Sequence, residues 1–186
     1  MIISLIVEPR SGSTNLANCF FNDKDFTVLY TPSNHLSKWY IDDKPKNYRF
    51  ITKHLMVKED FYENKNFDEL IDISDKVIFL YRENRDEQIK SWINAKVTNN
   101  WDAQWKYSEK VMLEQQSEID YFTNLKYHFN KLINNNTNAL KISYEDLYEK
   151  NGFYKIREFL GDDICKNINF PMGKRYRINT NKINLI

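Results

Sequence analysis

The chain is expected to fold as an α/β protein, a three-layer sandwich around a mainly parallel central sheet. Three observations predict this. Ile2–Val7 (IISLIV) and Lys76–Tyr81 (KVIFLY) are near-continuous aliphatic runs, the pattern of strands buried on both faces. Segments with helical signals separate the strand candidates, and parallel strands need such crossovers. Only four Gly and four Pro occur in 186 residues, so most of the chain is available for regular structure.

The elements follow in order. After Ile2–Val7, Glu8-Pro9-Arg10 halts the apolar run, and 14–21 reads as a helix. Phe26–Tyr30 (FTVLY) is a short second strand. Residues 32–47 are polar, aromatic and bounded by prolines, and read as a loop or a broken helix. Residues 48–53 (YRFITK) are the third strand candidate, and 67–73 a short helix. Lys76–Tyr81 is a central strand, followed by a helix from about 85 to 95. Residues 107–134 form one long helix or two, with Val111, Ile119, Phe122, Phe129 and Ile133 on one apolar stripe. Asn-rich 134–138 breaks it, and 139–142 is a further strand. Short helices are expected at 144–149 and Phe153–Leu160, with Gly161 at the C-cap. The tail from Asn169 is basic and irregular, and no internal repeat is visible.

The length suits a single domain spanning 1–186. Hydrophobic residues make up 41% and aromatics 15%, enough for a bulky core. Basic and acidic residues nearly cancel, 27 against 26, so no global charge draws the chain to nucleic acid or an anionic membrane. Any phosphate affinity must therefore be local. Cys19 and Cys165 lack metal-ligand spacing and fit a reducing compartment. The apolar N-terminus is too short for a signal segment, and no stretch approaches the ~20 apolar residues of a membrane span. A cytoplasmic protein is the expectation.

The sequence Pro-Arg-Ser-Gly-Ser-Thr, 9–14, stands between the first strand and the first helix. A helix start presents free backbone N–H groups, and Gly12 permits a positive φ or a close approach of backbone. Ser11, Ser13 and Thr14 add hydroxyls, and Arg10 adds a charge present at every relevant pH. Such a turn suits an anion, although Ser13 or Thr14 would equally serve as a plain helix cap. The phosphate-loop pattern GxxxxGK[ST] is absent.

This turn resembles the 5′-phosphosulfate loop of sulfotransferases that use 3′-phosphoadenosine 5′-phosphosulfate (PAPS). A second stretch, KVIFLYRENRDEQIKSWINA, is similar to the 3′-phosphate motif of the same superfamily, with Arg82 ending a strand and Ser91 nine residues on. The spacing looks like the bacterial branch related to the trehalose-type enzymes, whereas the cytosolic and tyrosylprotein branches usually use eight. A third stretch, ALKISYEDLYEKNGFYKIREFLG, resembles that superfamily's C-terminal third. The resemblance implies a P-loop-like sulfotransferase fold and sulfuryl transfer from PAPS to a hydroxyl or amine, leaving adenosine 3′,5′-bisphosphate (PAP). It implies nucleotide contacts from Arg10, Ser11, Gly12, Ser13, Thr14, Asn15, Arg82 and Ser91, and no metal. Two ends of one nucleotide would then be clamped at 9–14 and at Arg82.

Transfer to a hydroxyl also needs a base. ITKHL resembles the family's Lys-Thr-His-Leu segment, which implies His54 as base and Lys53 beside the leaving oxygen. Here Lys53 and His54 are adjacent, whereas the family separates the two by one residue. His35, Asp42, Asp43 and Glu59 are the alternatives, and His128 reads as structural. Trp39, Trp101 and Trp105 are candidates for an acceptor pocket, and Lys174, Arg175 and Arg177 in 173–182 for closing the nucleotide site. The acceptor class stays open among small molecules, glycans and peptides. Competing readings are a kinase-like phosphotransferase, a degenerate PAP-binding protein, and an interaction protein that homodimerises through 107–134.

Overall fold

The computed structural model describes residues 1–30, 53–61, 67–98 and 116–170. Within them, strands β1 (Ile2–Val7), β2 (Phe26–Tyr30), β3 (His54–Asp60), β4 (Lys76–Tyr81) and β5 (Leu140–Ser143) form one sheet in the order β2-β3-β1-β4-β5. Every neighbouring pair is parallel. The helices are α1 (Ser13–Phe21), α2 (Asp68–Asp72), α3 (Arg85–Thr98), α4 (Gln116–Asn135), α5 (Tyr144–Tyr148), α6 (Phe153–Leu160) and α7 (Asp162–Cys165).

Two apolar layers cover the sheet, as the continuous aliphatic runs require. Because strand side chains alternate between faces, Ile3, Leu5 and Val7 of β1 meet Leu16, Ala17 and Phe20 of α1, together with residues of α6. Ile6 turns the other way, toward Ile89 and Ile93 of α3 and Phe122, Leu125, Phe129 and Ile133 of α4. The buried stripe of α4 runs through Phe122, Leu125, Phe129 and Ile133, and Ile119, expected on it, is 44% exposed. Ile119 stands three residues before Phe122, in step with the stripe, but it lies in the first turn of the helix. Val111 lies outside the described residues.

The third strand needs a correction. It runs from His54 to Asp60, so Lys53 and His54 mark its beginning and not its end. Leu55, Met56 and Val57 are its buried centre, in register with Ile2, Ile3 and Ser4 of β1. The misleading feature is Lys58-Glu59-Asp60, three charged residues that look like a surface turn. They are strand, and Lys58 and Glu59 are buried. Residues 48–52 lie outside the described set, as do the 32–47 loop and the 173–182 tail.

Other elements keep their expected places with small shifts. β5 is Leu140–Ser143, and Ser143 caps α5 by accepting the Asp146 N–H at 3.0 Å. Gly161 ends α6 at φ 102° and starts α7. Cys19 and Cys165 are free, buried thiols, and burial pushes both up to about 11. No helix among the described residues is long and apolar enough to cross a membrane.

Candidate active site at the carboxyl edge of the sheet

All strands point the same way, so their carboxyl ends share one edge, where open α/β sheets bind ligands. The ends of β1, β3, β4 and β5 meet there. β1 continues its ladder one residue further, with the Glu8 N–H donating to Leu80 O at 3.0 Å, and then leaves the sheet at Pro9.

The turn that follows is wound unusually. Arg10 has φ 63° and Gly12 φ 76°, both in the left-handed region. For Arg10 this is a strained conformation, and residues held so cluster at functional sites. Gly12 N-caps α1, makes no side-chain cap, and is followed by a first turn that carries no acidic residue. The positive end of α1 is thus unneutralised by its own first turn. Ser11 is fully buried, and its Oγ has no hydrogen-bond partner among the described residues. A buried orphan hydroxyl is costly unless something fills its need. Ser13 is also buried, and Thr14 is exposed. The Asn15 N–H turns back to Gly12 O at 3.2 Å, so Asn15 contributes to the helix start.

Gly12 is pressed from behind by α5. A Cβ there would lie 2.9 Å from Tyr144 Cδ2 and 3.0 Å from Tyr148 Cε2. The Tyr148 hydroxyl donates to Gly12 O at 2.8 Å. Burial holds the Tyr148 phenol well above its usual pKa, so it remains a donor. Sequence reasoning does not find either tyrosine as part of the site. The available signal is weak, since Tyr-x-x-x-Tyr at 144 and 148 only places two rings on one helical face.

The second motif arrives at the same place. Arg10 Nε donates to Ser91 Oγ at 2.9 Å, across 81 residues of sequence. Arg82 stands at the end of β4, its guanidinium 4.7 Å over the Tyr144 ring and its Nε 3.9 Å from Glu145 Oε1. That Nε is buried without a hydrogen-bond partner among the described residues. Glu145 is fixed by the N–H groups of Glu83 at 2.9 Å and Asn84 at 3.0 Å. Glu8, unexpected beside an anion site, turns away from the 9–14 loop and is buried against α3.

His54 and Lys53 are not brought to this edge, where the expectation had put them. His54 is six residues upstream of Asp60 along β3, about 20 Å at ~3.3 Å per residue. Its ring packs on Phe26 at 4.9 Å, and burial first, then the N-terminal ammonium, lowers its pKa. Lys53 pairs with Asp25 at 3.3 Å on the surface. The group that does reach the carboxyl edge is Lys58-Glu59-Asp60. Lys58 and Asp60 share the parity of Met56, hence the α1 face, and Lys58 Nζ lies 2.9 Å from Asp60 Oδ1. Glu59 takes the opposite face with Phe61 and is fully buried. His128 is half-buried on α4, beside Tyr127. His35, Asp42, Asp43, Trp39, Trp101, Trp105, Lys174, Arg175 and Arg177 lie outside the described residues. A readable signal for Lys58 and Asp60 exists. A basic and an acidic residue two apart, directly after a buried aliphatic triplet, face the same way in a strand.

The fold itself has a known counterpart. The crystal structure of mouse sulfotransferase SULT7A1 complexed with PAP matches 89% of this chain, with a TM-score of 0.54 and 19% sequence identity. The chain has the sulfotransferase fold. It corresponds to 62% of the length of that mouse protein. No family model matches the sequence, and no curated protein matches it. Within the sulfotransferase fold, the loop at 9–14, the end of β4 and the end of β3 lie together along one edge.

Proposed function

We propose that this protein is a sulfotransferase that takes PAPS and moves its sulfuryl group to an acceptor hydroxyl or amine. One observation carries the reading: Arg10 of the first motif touches Ser91 of the second at 2.9 Å. Two segments far apart in sequence, each picked out for one end of the same nucleotide, are joined at their functional residues. The Ser11 hydroxyl and the Arg82 Nε, both without a hydrogen-bond partner among the described residues, fit a ligand bearing anionic groups at two ends. So does the bare start of α1.

In this reading Arg10, Ser11, Gly12, Ser13, Thr14 and Asn15 hold the 5′ end, and Arg82 with Ser91 the 3′-phosphate. PAPS supplies the sulfuryl group when bound. Arg10 and the N–H groups at the start of α1 stabilise negative charge that grows on the oxygens around sulfur. Asp60 accepts the proton of the acceptor hydroxyl, and Lys58 orients the carboxylate through their 2.9 Å contact. Lys58 and Asp60 stand one residue apart, the separation that the resemblance assigns to the lysine and the base. A carboxylate takes the place of the imidazole.

Thermal shift tests the ligand class. PAP should raise the melting temperature, whereas magnesium-ATP should not; the reverse would mean a phosphotransferase. Arg10→Ala and Arg82→Ala should each weaken PAP binding by roughly tenfold or more, measured by calorimetry, since a charged hydrogen bond is worth ~1.5–3 kcal/mol. Unchanged affinity in both variants would overturn the two-ended clamp.

A further inference from the structure

We propose that the buried Glu8 and the partly buried Arg85 form a self-cancelling ion pair that clasps the two halves of the nucleotide site, with Arg85 a positioning residue and no phosphate ligand. This rests on the PAP-binding reading above. Arg85 lies three residues after Arg82, near enough in the chain to reach for the same phosphate. Both Nε atoms are buried without a hydrogen-bond partner among the described residues, and what separates the two arginines is where each guanidinium lies. Arg82 faces Tyr144 and Glu145, whereas Arg85 Nη2 lies 3.1 Å from Glu8 Oε1. Arg85 Nη1 donates to Gln88 Oε1 at 2.5 Å.

Glu8 is 1% exposed and serves both strand ends at once. Its Oε2 accepts the Arg82 N–H at 3.1 Å and the Gln88 Nε2–H at 3.4 Å. Gln88 also donates to Pro9 O at 2.6 Å, immediately before Arg10. One carboxylate and one amide therefore tie the root of the 9–14 loop to the root of Arg82. Gln88 sits one helical turn before Ser91. A buried carboxylate beside an anion site would repel the ligand, and the Arg85 charge cancels it. Removing one partner of such a pair leaves an uncompensated buried charge, whereas a neutral pair of similar size restores balance.

The test compares Arg85→Met with the double variant Glu8→Gln/Arg85→Met. In the double variant, the amide that replaces the Glu8 carboxylate can donate an N–H to Gln88 Oε1, and its carbonyl oxygen can accept the Arg82 N–H. Arg85→Met should lose about tenfold or more in PAP affinity, and the double variant should return to within about threefold of wild type. Recovery is the readout that a direct phosphate ligand would not give. If Arg85 binds phosphate itself, the double variant stays as weak as the single, and the proposal is overturned. Should Arg85→Met fail to fold, the double variant decides alone: near-native PAP binding supports the clasp, and weak binding or unfolding ends it. Amide hydrogen exchange at 11–15 gives an arm independent of nucleotide. It should speed up in Arg85→Met and recover in the double variant, and exchange that does not recover overturns the clasp. Wild-type protein that ignores PAP would defeat the functional reading, leaving the exchange arm to judge the clasp.

Discussion

Asp60→Asn is expected to lower turnover by about 10²-fold or more while leaving PAP affinity close to wild type. Asparagine keeps the shape and one oxygen for Lys58, but it cannot take a proton. The effect should therefore appear in kcat, with binding of PAP little changed, because the role proposed for Asp60 is toward the acceptor and not the nucleotide. His54→Ala is the control. It sits at the amino end of the sheet, and its loss should leave turnover per folded molecule unchanged. Single-turnover assays with labelled PAPS and an acceptor panel measure both. An active Asp60→Asn variant would move the base to Glu59 or to a residue outside the described segments. An inactive but folded His54→Ala would contradict the placement of β3.

Gly12→Ala should abolish PAP binding and cost about 3 kcal/mol of stability. Two effects add. An L-residue at φ 76° costs roughly 1–2 kcal/mol, and forcing a methyl into a packed site costs roughly 1–3. The methyl would meet ring carbons of Tyr144 and Tyr148 at 2.9–3.0 Å. Those rings cannot easily yield. Tyr148 is bonded to Gly12 O at 2.8 Å and packs edge-on against Phe153 at 5.5 Å. Any shift that relieves the clash displaces the N–H groups at the start of α1. Gly161→Ala separates the two effects. It also has a positive φ, 102°, but its Cβ would meet nothing closer than Ile164 Cδ1 at 4.0 Å. It should cost backbone strain alone, at a φ of 102° and ψ of 146° that only glycine adopts readily, and leave PAP binding intact. Denaturant melts and calorimetry on both variants check this, and PAP binding kept by Gly12→Ala would show that α5 does not press on the loop.

Glu8 shows how local reading and tertiary context differ. By itself it is an acid beside an anion loop. In the fold, strand alternation points it to the face opposite α1, where Arg85 waits at the first residue of α3. Third-strand placement fails from sequence for a related reason. YRFITK has good strand propensity, and HLMVKED ends in three charges that propensity counts against it. Burial between β1 and β2, with Lys58 paired to Asp60, overrides that preference.

Aliphatic runs at Ile2–Val7 and Lys76–Tyr81, and the helices between strands, were legible because burial on both faces leaves no polar alternation. Arg10 and Gly12 were legible because a turn between strand and helix favours a glycine and presents a charge to an anion, whereas Arg82 and Ser91 were legible only through the resemblance to the sulfotransferase motif. Which charged residues of β3 reach the carboxyl edge was not. That depends on where β3 starts against β1, and register is set by neighbours far away in sequence: moving the start by six residues exchanges His54 for Asp60 at the site. The contact of Arg10 with Ser91, the pressure of Tyr144 on Gly12 and the pairing of Glu8 with Arg85 likewise exist only once parallel strands bring distant segments to one edge.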